Sequence, residues 1–390
     1  MNSLRLLTAG ESHGKAVVAI LEGMPAGVPM DVARVNAELK KRQGGHGRGG
    51  RMKIEKDAIG ILSGIRFGRT LGSPIAFEIR NLDYANWETK MAVEGAPPKG
   101  YEPVTLARPG HADLAGVLKF GHDDIRNVIE RSSARETAAR TAAGAIAKEL
   151  LRAFDITWLA HVTHLGPVAT RARNWIDPRV PPAFLRAVES SPVRCAHRSA
   201  SGKMVAAIDA ARKRGDTLGG IYEVVFFNVP PGLGSCMQWD RKLDARLAFG
   251  ILSIHAQKGI EIGDGFSGAV LPGSRVHDEI FYSKSGGFHR RTNRAGGIEG
   301  GMTNGSPVVV RGAMKPISTL LKPLRSVDLK TRRATISRYE RSDVCALPAA
   351  SVVAEGVVAF VLADAFLEKF AGDHLKDVEA AVAHFKRRIR

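Results

Sequence analysis

The 390-residue chain has only three cysteines, Cys195, Cys236 and Cys345, and no two of them share a paired spacing. A disulfide framework and a cysteine-based zinc site are thereby excluded, and a reducing compartment, the cytoplasm, is the expected address. Aromatic residues make up only 6% of the chain, few for a surface that stacks bases. Acidic residues are also scarce, with 39 Asp and Glu against 57 Lys and Arg, which leaves a net charge of +18. Long hydrophobic runs are missing too. The most apolar stretch, Val352 to Leu367, is interrupted by Glu355 and Asp364 and reads as a buried helix, with no membrane span expected. The opening Met1-Asn2-Ser3-Leu4-Arg5 lacks the apolar core of a signal peptide. Internal repeats and low-complexity linkers are absent, so residues 1–390 read as a single domain. What remains is a basic chain suited to an anionic partner: nucleic acid, a membrane surface or a multiply charged metabolite.

Glycine, by contrast, is abundant at 42 residues and gathers in two clusters, Gly44 to Gly50 and Gly286 to Gly305. Apolar runs at Leu4 to Thr8, Ala16 to Leu21, Ile59 to Leu62, Ile75 to Ile79, Ile221 to Phe227 and Pro307 to Val310 read as strands. Val32 to Lys41, Ser133 to Phe154 and Ala349 to Leu367 read as helices. The second of these is rich in alanine and opens with a Ser133/Glu136 spacing that predicts a capping box. Strands and helices do not alternate regularly, which favours an α+β fold over a doubly wound parallel sheet.

Six segments have the chemistry of a site. Gly10-Glu11-Ser12-His13-Gly14 sets a histidine in a glycine turn between two strands, where an imidazole can exchange a proton near neutral pH. Lys15 gives the block a passing likeness to a P-loop, but Ala16 stands where a magnesium-binding Ser or Thr is needed. Residues Lys40 to Arg51 include Arg42, Arg48 and Arg51 among glycines, and predict a mobile arginine loop able to grip phosphate or carboxylate. Its formal G-x-G-x-x-G match follows a helix and precedes a strand, the wrong context for a dinucleotide fold. Arg108-Pro109-Gly110-His111-Ala112-Asp113 places a second histidine after a tight turn. Glu130-Arg131-Ser132-Ser133-Ala134-Arg135-Glu136 puts two arginines at a helix N-terminus, where they oppose the dipole and point to a bound anion. Gly296 to Gly305, then Lys315-Pro316-Ile317-Ser318-Thr319, let backbone approach a bulky ligand and offer phosphate donors. Arg341-Ser342-Asp343 adds a cation and a carboxylate just ahead of the last apolar helix.

These segments, in order and over nearly the whole chain, resemble the chorismate synthase family: Gly10 to Gly14 with the strand to Gly23, Glu130 to Ala143, Arg341 to Asp343 with the helix through Glu355, Arg108 to Asp113, and Lys315 to Thr319. The resemblance implies a β-α-β sandwich with helices packed between two antiparallel sheets, assembled as a homotetramer. It implies an anti 1,4-elimination of phosphate from 5-enolpyruvylshikimate 3-phosphate, giving chorismate, with reduced FMN required and no net redox change. An external flavin reductant would keep FMN reduced; FAD and NADP belong to the same implied setting. By matching motif, His13 would protonate the departing phosphate, His111 would stabilise the reduced flavin, and Asp343 would handle the proton near its N5. Arg42, Arg48, Arg135 and Arg341 would bind the substrate. Arg131, Ser132, Ser133, His255, Ala256, Gly300, Lys315, Pro316, Ile317, Ser318, Thr319 and Arg341 would line the flavin site, and no metal is implied. His46 departs from the Tyr expected in many bacterial members and would shift the pH dependence. The charge agrees: two carboxylates and a phosphate total about −4, a phosphate contributing roughly −1.5 to −2. Neither nucleic acid nor membrane is an expected partner. A basic nucleic-acid-binding protein and a flavin oxidoreductase with net hydride transfer are the competing readings.

Overall fold

A computed structural model describes residues 4–50, 54–171, 173–284, 287–340 and 342–389. The first sheet comprises β1 (Arg5–Ala9), β2 (Ala16–Glu22), β3 (Gly60–Ile61) and β4 (Ile75–Arg80) in the order β1-β2-β4-β3, with antiparallel pairing throughout. Its period-2 pattern turns Val17, Ala19, Leu21, Ile75, Phe77 and Ile79 inward and Leu7, Val18 and Ile20 outward. The second sheet orders β5 (Thr157–Leu165), β6 (Val168–Ala169), β7 (Gly220–Phe227), β8 (Gln257–Ile262) and β9 (Val308–Met314) as β8-β9-β7-β5-β6, again antiparallel. Its central strand is buried on both faces: Tyr222, Val224 and Phe226 join the main core, whereas Val225 and Phe227 pack with Trp175 in a separate cluster.

Helices α1 (Val32–Gln43), α2 (Asp113–Phe120), α3 (Arg126–Ser132), α4 (Thr137–Arg152) and α5 (Leu347–Lys369) complete the part that positions the site. The alanines of α4 let it lie against the first sheet and against α5, which in turn covers β5, β7 and β9. The two helices meet where Gly144 faces Gly356. A Cβ on Gly144 would stand 2.4 Å from the Gly356 Cα, whereas one on Gly356 would find its nearest neighbour at 3.6 Å. Gly144→Ala therefore has to push two core helices apart, at about 1–3 kcal/mol for overpacking. Gly356→Ala, which gains helix propensity of about 1 kcal/mol, should be neutral or stabilising. Denaturant midpoints of the two variants measure that contrast.

The mixed helix-and-strand fold with antiparallel sheets agrees with the α+β expectation, and the early strands and the α1 and α5 ranges fall close to where the pattern puts them. α5 is long and apolar enough to cross a membrane, with a mean hydropathy of 1.9 over its best window, but 89% of that window is buried inside the protein. The capping box does not form. Ser133 Oγ accepts from Arg135 N at the start of a 3-10 turn, Ala134–Glu136. The Glu136 carboxylate turns away to accept from Thr8 Oγ1 (2.9 Å) and Arg140 Nε (3.0 Å). A charged partner one turn along wins over a backbone amide. Helices also form at Asp113–Phe120, Arg126–Ser132 and Arg198–Lys213, segments to which the sequence pattern assigns no element.

Candidate active site

Parts of all six segments singled out in the sequence converge on one cleft of about 790 Å³, within the usual span of small-molecule sites, although Gly296 to Gly305 contribute none of its lining. The β1–β2 turn enters from one side with Ser12 and His13, and the 108–112 turn brings His111 from another. The α3–α4 junction supplies Ser132, Ser133 and Arg135, the end of β9 leads into Lys315, Ile317, Ser318 and Thr319, and the approach to α5 supplies Asp343. Trp87, Arg108, Arg126 and Arg338 also line it, although sequence reasoning assigned them no role.

Both histidines are held by buried carboxylates. His13 N donates to Glu130 Oε2 at 2.8 Å, and its Nδ1 lies 2.9 Å from Glu130 Oε1. The His13 ring packs on Trp87 at a centroid distance of 4.0 Å. Burial works against charge on Glu130, but the hydrogen bonds and charge of His13, with Arg126 beyond, hold its carboxyl below the usual range. His111 Nδ1 lies 2.5 Å from Asp113 Oδ1, and Arg108 grips the same carboxylate through Nε (2.9 Å) and Nη2 (2.9 Å). Burial opposes ionisation of Asp113, and the hydrogen bonds of His111 and Arg108 overcome it, so its carboxyl also titrates well below normal. Both groups remain anionic at neutral pH. With folded values depressed, their stabilising contribution is present above the ordinary carboxylate range and is lost only as the pH falls below it.

The arginines are set rather than loose. Asp57, whose side chain has no exposure, pairs with Arg42 Nη1 (3.2 Å) and Arg135 Nη1 (2.5 Å) at once. Arg42 also donates to Thr137 Oγ1 and Ala134 O, and Arg135 to Asn81 Oδ1 and Arg80 O. The arginine at the helix start is thus held by Asp57, which it shares with Arg42, and by Glu55 at 3.9 Å. A guanidinium has five N–H donors, so each keeps N–H groups for a ligand while its position is fixed. Burial, with Asp57 opposing it and Arg135 and Arg48 adding to it, brings Arg42 down to about 10. The 44–50 loop, expected to be mobile, is docked. Val344 N donates to Gly47 O (2.8 Å), Gly49 N to Asp343 Oδ1 (2.6 Å), and Arg48 Nη1 pairs with Asp343 Oδ2 at 3.0 Å. A Cβ on Gly49 would meet Ser342 O at 2.8 Å, so the close approach requires glycine there. Arg51 and Arg341 lie outside the described residues.

Three residues predicted for the flavin do not line this cleft. Arg131 donates to the carbonyls of Thr8 (2.8 Å) and Gly10 (3.2 Å) on the outside of the β1–β2 turn. Gly300 borders a second, smaller cavity with Asp264 and Asp278, and Pro316 contributes no lining, unlike its neighbours. His46 points elsewhere, its Nε2 lying 2.8 Å from Asp209 Oδ1. His255 and Ala256 do line the cleft. His255 Nδ1 is buried without a hydrogen-bond partner among the described residues, and burial, against the pull of Glu136, lowers its basicity. Ala256 sits at φ +64°, a conformation side chains rarely adopt outside constrained sites. Lys315 Nζ donates to Gly110 O at 2.6 Å and has no acidic partner among the described residues. An unpartnered imidazole nitrogen, an unneutralised ammonium and hydroxyls at Ser318 and Thr319 suit a heteroaromatic ring that bears a phosphate.

Two carboxylate-oriented histidines facing pinned arginines define an enzyme site for a polyanionic small molecule. A family model described as chorismate synthase matches residues 4–367. A chorismate synthase of Listeria welshimeri is 55% identical over 381 residues, 97% of each chain, and one of Desulforudis audaxviator is 54% identical over 388 residues, 99% of this chain and 98% of the other. A crystal structure of chorismate synthase superposes with a TM-score of 0.79 at 40% identity, covering 99% of this chain and 98% of that one. The chain belongs to the chorismate synthase family.

Proposed function

We propose that the cleft holds 5-enolpyruvylshikimate 3-phosphate and reduced FMN together and releases phosphate by anti 1,4-elimination, giving chorismate in aromatic amino acid biosynthesis. Reduced flavin, when bound, would supply electron density to the allylic system as phosphate leaves and would take up the hydrogen lost from C6, with no net redox change. The protein's part is to orient and to move protons. His13, with Nδ1 committed to Glu130, delivers a proton from Nε2 to the departing phosphate oxygen. Arg42 and Arg135, fixed by Asp57, and Arg48 take the substrate's anionic groups, with Arg341 assigned the same task. Preset donors of this kind need little rearrangement as charge develops on the leaving group. His111 and Asp343 would flank the flavin, and Ser132, Ser133, His255, Ala256 and the segment from Lys315 to Thr319 would hold it. Arg131, Gly300 and Pro316 would reach it only indirectly.

The observation that carries this reading is the meeting of His13, His111 and Asp343, from three distant parts of the chain, in one arginine-lined cleft. The nucleic-acid alternative is less favoured because these arginines turn inward onto carboxylates. The wider reading is a single domain of β-α-β sandwich form, cytoplasmic and homotetrameric, with an external reductant supplying reduced FMN.

Sharing one cleft makes the two ligands interdependent, and linkage makes the effect reciprocal. Anaerobic titration should show reduced FMN binding roughly 5- to 150-fold tighter with substrate present, and oxidised FMN more weakly in both cases. Four equal dissociation constants would refute a shared pocket.

A further inference from the structure

We infer that Glu130 is the positioning residue of His13, fixing which imidazole nitrogen meets the leaving group. This rests on the reading of His13 as the proton donor. Glu130 takes hold of the β1–β2 turn at three points: its carbonyl accepts from Ser12 N (3.0 Å), and its carboxylate accepts from His13 N (2.8 Å) and lies 2.9 and 3.1 Å from His13 Nδ1. An ionised carboxylate only accepts hydrogen bonds. His13 Nδ1 is therefore the donor, and Nε2 is the nitrogen that gains and loses the proton. When Nε2–H gives its proton to the phosphate oxygen, the Nδ1–H bond stays intact and the ring is left neutral.

The surroundings make Glu130 specific for this task. Its side chain is 2% exposed, so water does not compete for its oxygens. Arg126, one helical turn earlier, touches it at 3.3 Å but spends its other arm on Glu340 at 3.2 Å. Trp87 closes the ring face of His13, with Arg126 and Lys90 over the indole. Glu130 is thus the acidic group bonded to Nδ1, supported by one arginine that a second glutamate shares. Carboxylates that orient a catalytic histidine act in the same way in the hydrolase triads.

Glu130→Gln keeps the size and most of the hydrogen bonds, but its amide can donate as well as accept and no longer dictates the tautomer. The expected result is a fall in kcat of at least roughly tenfold and at most the about 10⁴-fold that the corresponding Asp-to-Asn change costs in a hydrolase triad, with substrate KM, FMN affinity and thermal midpoint little changed. Glu130→Asp, which keeps the acceptor-only carboxylate, should recover part of that loss. The double variant His13→Ala/Glu130→Gln should be no slower than His13→Ala, because Glu130 acts only through His13. Normal turnover by Glu130→Gln, or fully additive losses in the double variant, would overturn the inference. So would a loss of turnover accompanied by equal losses of flavin affinity and stability. If His13→Ala itself turns over within a few-fold of the parent, the reading of His13 has failed instead.

Discussion

His13→Ala should lower kcat by about 10²–10⁴-fold, the usual contribution of a general acid, with reduced FMN still bound within a few-fold of the parent affinity. The reason is local. His13 stands in a two-strand turn that Glu130 anchors independently through Ser12 N and the His13 backbone amide, so the turn survives loss of the imidazole. The flavin-side residues come from other segments, Ser132 and Ser133 at the C-terminal end of α3 and Lys315 to Thr319 after β9. An effect confined to kcat is what a proton donor gives; one spread over kcat and both affinities is what a structural histidine gives. Phosphate release measured under anaerobic, flavin-saturated conditions across pH 6–9 separates them. A variant within a few-fold of the parent at every pH would remove His13 from the chemistry.

Arg48→Ala should have the second large effect, on substrate rather than on flavin. Arg48 is part-buried at 12% side-chain exposure and pairs with Asp343. Its removal deletes a charge-assisted donor and leaves the Asp343 carboxylate facing the substrate's negative groups, with Gly49 N still bonded to it. Truncating one partner of a buried charge pair costs about 2–5 kcal/mol. The substrate KM should rise by roughly 30-fold or more, while the dissociation constant of reduced FMN changes by no more than two- to threefold. Added salt should restore little of the difference, since a pair this enclosed is weakly screened. Equal weakening of both ligands would place Arg48 in the scaffold and not in the substrate pocket.

What the sequence made legible was local. A histidine between glycines, a histidine after Pro-Gly and an Arg-Ser-Asp ahead of an apolar helix each state their chemistry within a few residues, and all three reach the cleft except Arg341, which lies outside the described residues. The strands of the first sheet announced themselves as short apolar runs, and α5 as the most apolar stretch of the chain, interrupted only by charges such as Glu355 and Asp364. The partners that make the motifs work were not legible. Glu130 is 117 residues from His13, and Asp57 is 78 from Arg135, separations at which no periodicity connects them. Asp113 was quoted as part of a motif, yet its bidentate hold on Arg108 and its bond to His111 depend on how the turn folds. The glycine-rich loop misled for a related reason. Glycine permits a close approach as readily as motion, and here Gly49 lies against Ser342. Arg131 misled because a basic residue at a helix end can reach back to carbonyls of a neighbouring turn as easily as forward to a ligand.

The central claim is that one cleft eliminates phosphate with reduced flavin present and no net oxidation. Its most direct test is a single anaerobic incubation of the protein with reduced FMN and 5-enolpyruvylshikimate 3-phosphate, following chorismate, inorganic phosphate and the flavin absorbance together. The account predicts chorismate and phosphate in equal amounts over many turnovers, with the flavin still reduced at the end and no product when FMN is oxidised or omitted. Flavin oxidised in proportion to product, or phosphate released without chorismate, would contradict it.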